Sequence, residues 1–325
     1  MTLDDSMGPA GPLPGPEFQI EARFGRQVGT NLFHSFRVFN LNAAESATFT
    51  DVGATDSIEN ILGRVTGGAS NIDGAIRTRF QSSAPNLFLL NPAGLVFGPN
   101  ATLDVQGSFH ASTADSIKLA DGVQFDAVVP TANDALLTSA PPSAFGFLPS
   151  DQSELTQPEL TVSGSELRVP AGESISLVGK SDPTTISLPG QPPLVLPPSV
   201  KVRVESGILD APEGRADVIQ ARSNSEVSIE KPNSPPLPER DLIRPANFSK
   251  SEDVLVRTGM FTVTGGATVG KEGGNITVDV AKLALRDGGL LDTSAGSGNA
   301  GDIEINATDS VSLTGRLQSF IGADV

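Results

Sequence analysis

The chain contains no cysteine, no tryptophan and no tyrosine. The first absence excludes a disulfide scaffold, a Cys-ligated zinc site and a cysteine nucleophile, and it fits many bacterial proteins that cross membranes unfolded. The other two leave phenylalanine to supply every aromatic contact. Positive charge is scarce as well: 22 Lys and Arg stand against 38 Asp and Glu, a net charge of −16. Neutralising a phosphate backbone needs clustered basic residues, and no basic stripe is visible, so a nucleic-acid partner is not expected. No stretch approaches the roughly 20 consecutive apolar residues that span a bilayer as a helix. The opening MTLDDSMGPAGPLPGPEF has no basic segment followed by an apolar one, so it does not read as a secretory signal; residues 1–16 read as a Gly/Pro-rich leader.

What is abundant is punctuation. With 34 Gly and 25 Pro among 325 residues and only 18% charged, turns are frequent and long surface helices scarce. Short apolar runs, each ended by Gly, Asn or Pro, point to an all-β chain of one or two domains. Three zones separate. Residues 17–129 alternate short strands and turns, as in LFHSFRVFNL, NLFLL and GLVFG. Residues 130–252 carry weaker strands among Pro-rich connectors, PGQPPLVLPPS and EKPNSPPLPERD. Residues 253–325 alternate cleanly again. Helical signals are few: DSIENILGRVTGG predicts one or two turns, capped by Asp56 or Ser57 and stopped by Gly63.

An internal repeat carries more information. GGNITVDVAKLALRDGGLLDTS returns as AGDIEINATDSVSLTGRLQSF, with Gly274, Ile276 and Val278 mapping to Gly301, Ile303 and Ile305; one inserted residue then maps Leu283 and Leu285 to Val311 and Leu313. Two or three short strands per unit suit a coil of a parallel β-helix, in which stacked units share the core that none could bury alone. A β-sandwich also produces regular short strands, and the periodicity leaves both architectures open.

Three segments taken together, NLFHSFRVFNLNAAESATF, ENILGRVTGGASNIDGAIRT and PNLFLLNPAGLVFGPNATLDVQGSFHASTADSI, resemble the N-terminal domain of filamentous haemagglutinin. This is the haemagglutination-activity, or two-partner secretion (TPS), domain of large bacterial exoproteins. VKVRVESGILDAPEG and the C-terminal repeats are similar to the degenerate repeats that follow it. The resemblance implies a right-handed parallel β-helix with short extra-helical strands and Pro-rich insertions. It also implies export through an Omp85-type outer-membrane transporter, secretion or display at the cell surface, and nucleation of β-helix folding by the N-terminal domain. Residues 17–129 then form the secretion domain, 130–252 its continuation and 253–325 repeats of a longer exoprotein. The family's secretion and folding motif falls on Asn31, Leu32, Phe33, His34, Ser35 and Phe36, and on Asn91, Pro92, Gly94 and Leu95, with Ala93 where the family carries a second Asn.

No catalytic, cofactor or metal site is expected. His34 and His110 are the two histidines, and without a His-Glu-x-x-His spacing they read as strand residues. GSGNAG at 296–301 matches a dinucleotide fingerprint in letters, but a strand pattern follows it where a helix is required. No Asp recurs as a Ca²⁺ β-roll demands. The sequons at Asn100, Asn247, Asn275 and Asn306 read as turns entering strands. The expected function is an adhesin-like exoprotein whose surface partners are glycans or proteins. A polysaccharide-processing β-helix enzyme working with two carboxylates is the competing reading. In NLFLLNPAGLVFGPN, Asn91-Pro92 and Gly98-Pro99-Asn100 are expected as corners joining strands buried on both faces.

Overall fold

A computed structural model describes residues 1–128, 132–148 and 158–180, together with 184–186, 194–196, 202–205, 208–211, 215–221, 224–229, 254–263, 268–269, 276–286, 290–292, 303–314 and 321–322. The EKPNSPPLPERD connector, the GSGNAG segment, Asn247 and Asn275 lie outside the described residues.

The chain winds through three parallel faces in a fixed order. The first face stacks Asn31–Val38, Asn60–Val65, Asn86–Leu90, Phe109–Ser112, Ser174–Lys180 and Arg215–Ala221, then continues through Val254–Val263, Ile276–Arg286 and Ile303–Thr314. The second face stacks Ser70–Ile72, Leu95–Phe97, Leu160–Ser163 and Val202–Glu205; the third runs from Glu17–Glu21 through Ser46–Thr50, Ala75–Arg79, Thr102–Asp104 and Glu166–Arg168 to Ile208–Asp210. Successive visits to one face are neighbours in register, for example Leu32 with Ile61 and Ile61 with Leu87. This is a parallel β-helix, and the sandwich alternative falls. The repeat register is also present: Ile276 and Val278 pair with Ile303 and Ile305, then a shift brings Leu283 and Leu285 opposite Val311 and Leu313.

Period-two side-chain alternation divides the first face between two cores. Leu32, Phe36, Ile61, Val65, Leu87, Leu89, Phe109 and Ala111 point into the lumen. Phe33, Leu62, Phe88 and Leu90 point outward, into a second core covered by an extra-helical layer. That layer leaves the coil after Ser112 and forms an antiparallel sheet from Ser116–Leu119, Gln124–Asp126 and Pro142–Phe147, later joined by Ser225–Ser228. It explains why NLFLL is apolar on both faces.

One expectation needs correction. DSIENILGRVTGG forms no helix: Asn60–Val65 is a strand, buried along its whole length and paired on both sides. A helix there would forfeit both ladders and the burial of alternate side chains into two cores, a larger loss than any cap returns. Residues 1–16 pack onto the leading edge of the first face. Thr2–Leu3 pairs antiparallel with Gly11–Pro12 and with Asn31–Val38, and Leu3, Met7 and Leu13 are buried. Arg26–Val28 folds antiparallel onto the same edge. Together they cover backbone groups that an open leading edge would offer to other chains.

Candidate functional site

Asn31–Phe36 occupies the first strand of the first face, and all six residues are buried. Asn31, Phe33 and Ser35 face the extra-helical layer; Leu32, His34 and Phe36 face the lumen. The Asn31 side-chain amide donates to the carbonyls of Thr138 at 3.1 Å and Ala140 at 2.7 Å. Its Oδ1 accepts from Asn60 Nδ2 at 3.0 Å, Asn60 Oδ1 accepts from Asn86 Nδ2 at 3.3 Å, and Asn86 Oδ1 accepts from the Ser108 amide at 3.1 Å. Register aligns the three asparagines, so one polar ladder crosses the first coils at the start of each strand. Each amide is satisfied by the next, which removes the cost of burying it.

Four residues along, Ser35 meets Arg64, whose side chain is fully buried. Arg64 Nε donates to Ser35 Oγ at 2.8 Å; Nη1 donates to the Asp126 carbonyl at 2.6 Å and Asp134 Oδ1 at 2.7 Å; Nη2 donates to Ser6 Oγ at 2.9 Å and Asp134 Oδ2 at 2.6 Å. Its guanidinium lies 4.8 Å from the Phe125 ring centre. Five acceptors for five N–H bonds make this a bidentate, fully engaged pair, the geometry a buried guanidinium needs. Asp4 extends the cluster, accepting from Ser35 Oγ at 2.6 Å and Thr66 Oγ1 at 2.9 Å, and from Ser6. Burial pushes the Asp4 carboxyl up, but hydrogen bonds from Ser35, Ser6 and Thr66 outweigh it and hold its pKa below the usual value.

His34 faces the lumen between Phe36 and Phe49, with ring centres 6.1 and 5.7 Å away. Neither ring nitrogen has a hydrogen-bond partner, and burial lowers its pKa to about 3. A Cβ on Gly25 would stand 2.8 Å from the imidazole, so glycine is what lets the ring fit. His110 faces outward on the fourth strand, stacked on Phe88 at 4.5 Å. The two histidines therefore lie on opposite sides of the sheet and form no pair.

Asn91, Pro92, Gly94 and Leu95 stand two coils further on, at the corner between the first and second faces. Asn91 is fully buried. Its amide donates to the Gly68 carbonyl at 3.1 Å and Ser70 Oγ at 3.0 Å, in the previous coil, and its Oδ1 accepts from the Ala93 amide at 2.9 Å. The Gly94 amide closes the turn on the Asn91 carbonyl at 3.0 Å, with Gly94 at φ 119°, a conformation open to glycine. Position 93 contributes only its backbone here, so alanine serves. The Gly98–Ala101 corner is built alike: Asp73 accepts from the Asn100 amide at 2.8 Å, and a Cβ on Gly98 would stand 2.5 Å from Asp73.

The arrangement thus contains two structural motifs and an ion-pair hub. A cavity of about 430 Å³ lies beside the ladder, with Glu59, Asn86, Phe88, His110, Pro142 and Glu173 in its wall. Glu173 accepts from Ser108 Oγ at 2.6 Å. Among the described residues no cluster of three or more His, Cys, Asp or Glu could hold a metal, and no helix is long and apolar enough to cross a membrane.

A parallel β-helix with a capped leading edge and an extra-helical layer on its first coils is a solenoid domain whose core is shared between stacked coils. The sequence matches the TPS secretion domain family over residues 15–235, and the chain belongs to that family. Membership makes it a secreted exoprotein domain exported by two-partner secretion, with a TpsB transporter as partner. The crystal structure of the HMW1 secretion domain from Haemophilus influenzae is similar at 15% identity and a TM-score of 0.38, covering 95% of this chain and 98% of that one. A search of curated proteins gives no significant match.

Proposed function

We propose that this chain is the export module of an adhesin-like exoprotein, read by an Omp85-type transporter while extended, and that its N-terminal coils seed β-helix folding outside the cell. The observation that carries the reading is the burial of the motif: Asn31–Phe36 and Asn91 are enclosed in the folded chain. A transporter that reads these side chains meets them before folding, and strand-forming segments from Asn31 to Asp126 suit edge-strand addition to its periplasmic domains. Residues 17–129 serve as the secretion unit, 130–252 continue it, and 253–325 present repeats toward glycan or protein targets.

Co-expression with the cognate transporter tests this. Asn91→Ala removes three hydrogen bonds, lowers stability by about 2 kcal/mol and reduces the amount of chain outside the cell. Ser70→Ala, which breaks one of the same bonds from the neighbouring coil, leaves export close to wild type. Unchanged export of Asn91→Ala counts against the motif.

Polysaccharide cleavage competes because Glu59 and Glu173 line one cavity. The purified chain is expected to turn over neither pectin-like nor neutral glycans. A rate abolished by Glu59→Gln or Glu173→Gln would overturn the non-enzymatic reading.

A further inference from the structure

The partners of the first coils are widely separated along the chain. Of the five hydrogen bonds that satisfy Arg64, three end on Asp126 or Asp134, and Asp134 lies 70 residues downstream. The Asn31 amide spends both its donors on Thr138 and Ala140, 107 and 109 residues downstream. Outward-facing Phe33 meets Phe125 at 5.1 Å and Phe88 meets Phe145 at 6.5 Å. The root of the layer is tied as well, since Asp115 accepts from the Leu148 amide at 2.7 Å and lies 3.4 Å from Lys180 Nζ.

Before residues 113–128 and 132–148 arrive, the first three coils present Arg64 to water with three of its five acceptors missing. They also carry an asparagine ladder without its terminal acceptors and a row of apolar side chains open to water. A solenoid unit normally needs only its sequence neighbours, so coils form one after another. Here the neighbours are insufficient, because the outward side of each first-face strand gains its apolar burial only when the layer covers it, and Arg64 and Asn31 gain these protein acceptors only then.

We propose that residues 113–128 and 132–148 act as a strap whose docking gates stable closure of the first three coils, so that coils and strap fold as one cooperative unit. The chain stays open, and therefore passable through a transporter, until the strap is free to dock. That consequence rests on the export reading above; the gate itself does not. It places the folding nucleus at the junction of coils and strap, with Arg64 and Asn31 as the groups that couple them.

Native-state hydrogen exchange on the purified full chain tests the gate without a transporter. Phe145→Ala removes a strap side chain that is 1% exposed and donates no bond to the coils. Amides in Asn60–Val65 and Asn86–Leu90 are expected to open about 100-fold more often than in wild type, in step with the strap's own amides. Phe145→Leu, which keeps the fold if alanine abolishes it, should raise opening of the same three segments together by about tenfold. Increased exchange confined to Ser116–Leu119 and Pro142–Phe147, with coil strands at wild-type protection, overturns the proposal. A separate arm with the transporter reads export: Phe145→Ala is expected to reach the outside in wild-type amount but to be digested by added protease. A loss of transporter dependence in that arm refutes the export reading and leaves the exchange result standing.

Discussion

Replacing Asp134 by alanine is expected to destabilise the folded chain by about 3–5 kcal/mol, although Asp134 sits in a short 3-10 turn at the surface layer. Its carboxylate supplies two of the five acceptors of Arg64, whose side chain is 0% exposed against 16% for Asp134. Removing the acid strands a desolvated guanidinium that cannot shed its proton. Removing the base is less damaging. In Arg64→Met the partly exposed carboxylate can turn to water, Ser35 keeps Asp4 as partner, and the thioether fills part of the space beside Phe125. The expected order of urea midpoints is wild type, Arg64→Met, then Asp134→Ala. The double variant Arg64→Met/Asp134→Leu should recover most of the loss, because replacing a buried ion pair by packed apolar groups is often neutral. Equal losses for the two single variants would show that the pair contributes by mutual attraction and not through the penalty of an orphaned charge.

The same cluster marks where sequence reading ends. Corners were legible because each closes on a local bond: the Ala93 and Gly94 amides return to Asn91, and the Ala101 amide returns to the Gly98 carbonyl. The C-terminal register was legible because coils that repeat in sequence stack in space, so Ile276 finds Ile303 directly. Asn60 and Asn86 were missed as partners of Asn31, although each of the three heads a similar apolar run: NLFHSF, NILGRV and NLFLL. Their separations of 29 and 26 residues hide a period that the register makes plain. Arg64 follows the Gly63 expected to stop a helical turn and was not singled out. A lone cation inside NILGRV was the available signal for a buried pair, but its partner 70 residues on shares no pattern with it. The packing of residues 1–16 was hidden for a related reason: Leu3, Met7 and Leu13 are too few and too irregular to announce it, and Gly and Pro lie between them.

His34 gives the folded chain a pH dependence whose direction follows from its burial. An exposed imidazole in the unfolded chain titrates near 6.5, whereas burial lowers the folded value to about 3. Between these values the unfolded chain binds more protons than the folded chain, so stability rises with pH across that window and is flat above it. Acidification from pH 7 toward 3 should therefore cost about 4–5 kcal/mol through this residue, close to 1.4 kcal/mol for each unit below 6.5. Asp4 acts in a lower window. Its folded pKa is depressed below 3.8, so its contribution is present above that value and is lost only as pH falls through the folded one. Urea titrations at intervals from pH 7 to 4.5 isolate the histidine. His34→Leu is expected to flatten the slope over this range while keeping stability at pH 7 within about 1 kcal/mol, since it removes two unpartnered nitrogens from an aromatic lumen. An undiminished slope in His34→Leu would assign the acid sensitivity to other groups. The consequence for the chain is directional: at mildly acidic pH the unfolded form gains at the expense of the first coil, where His34, Asn31 and Ser35 share one strand.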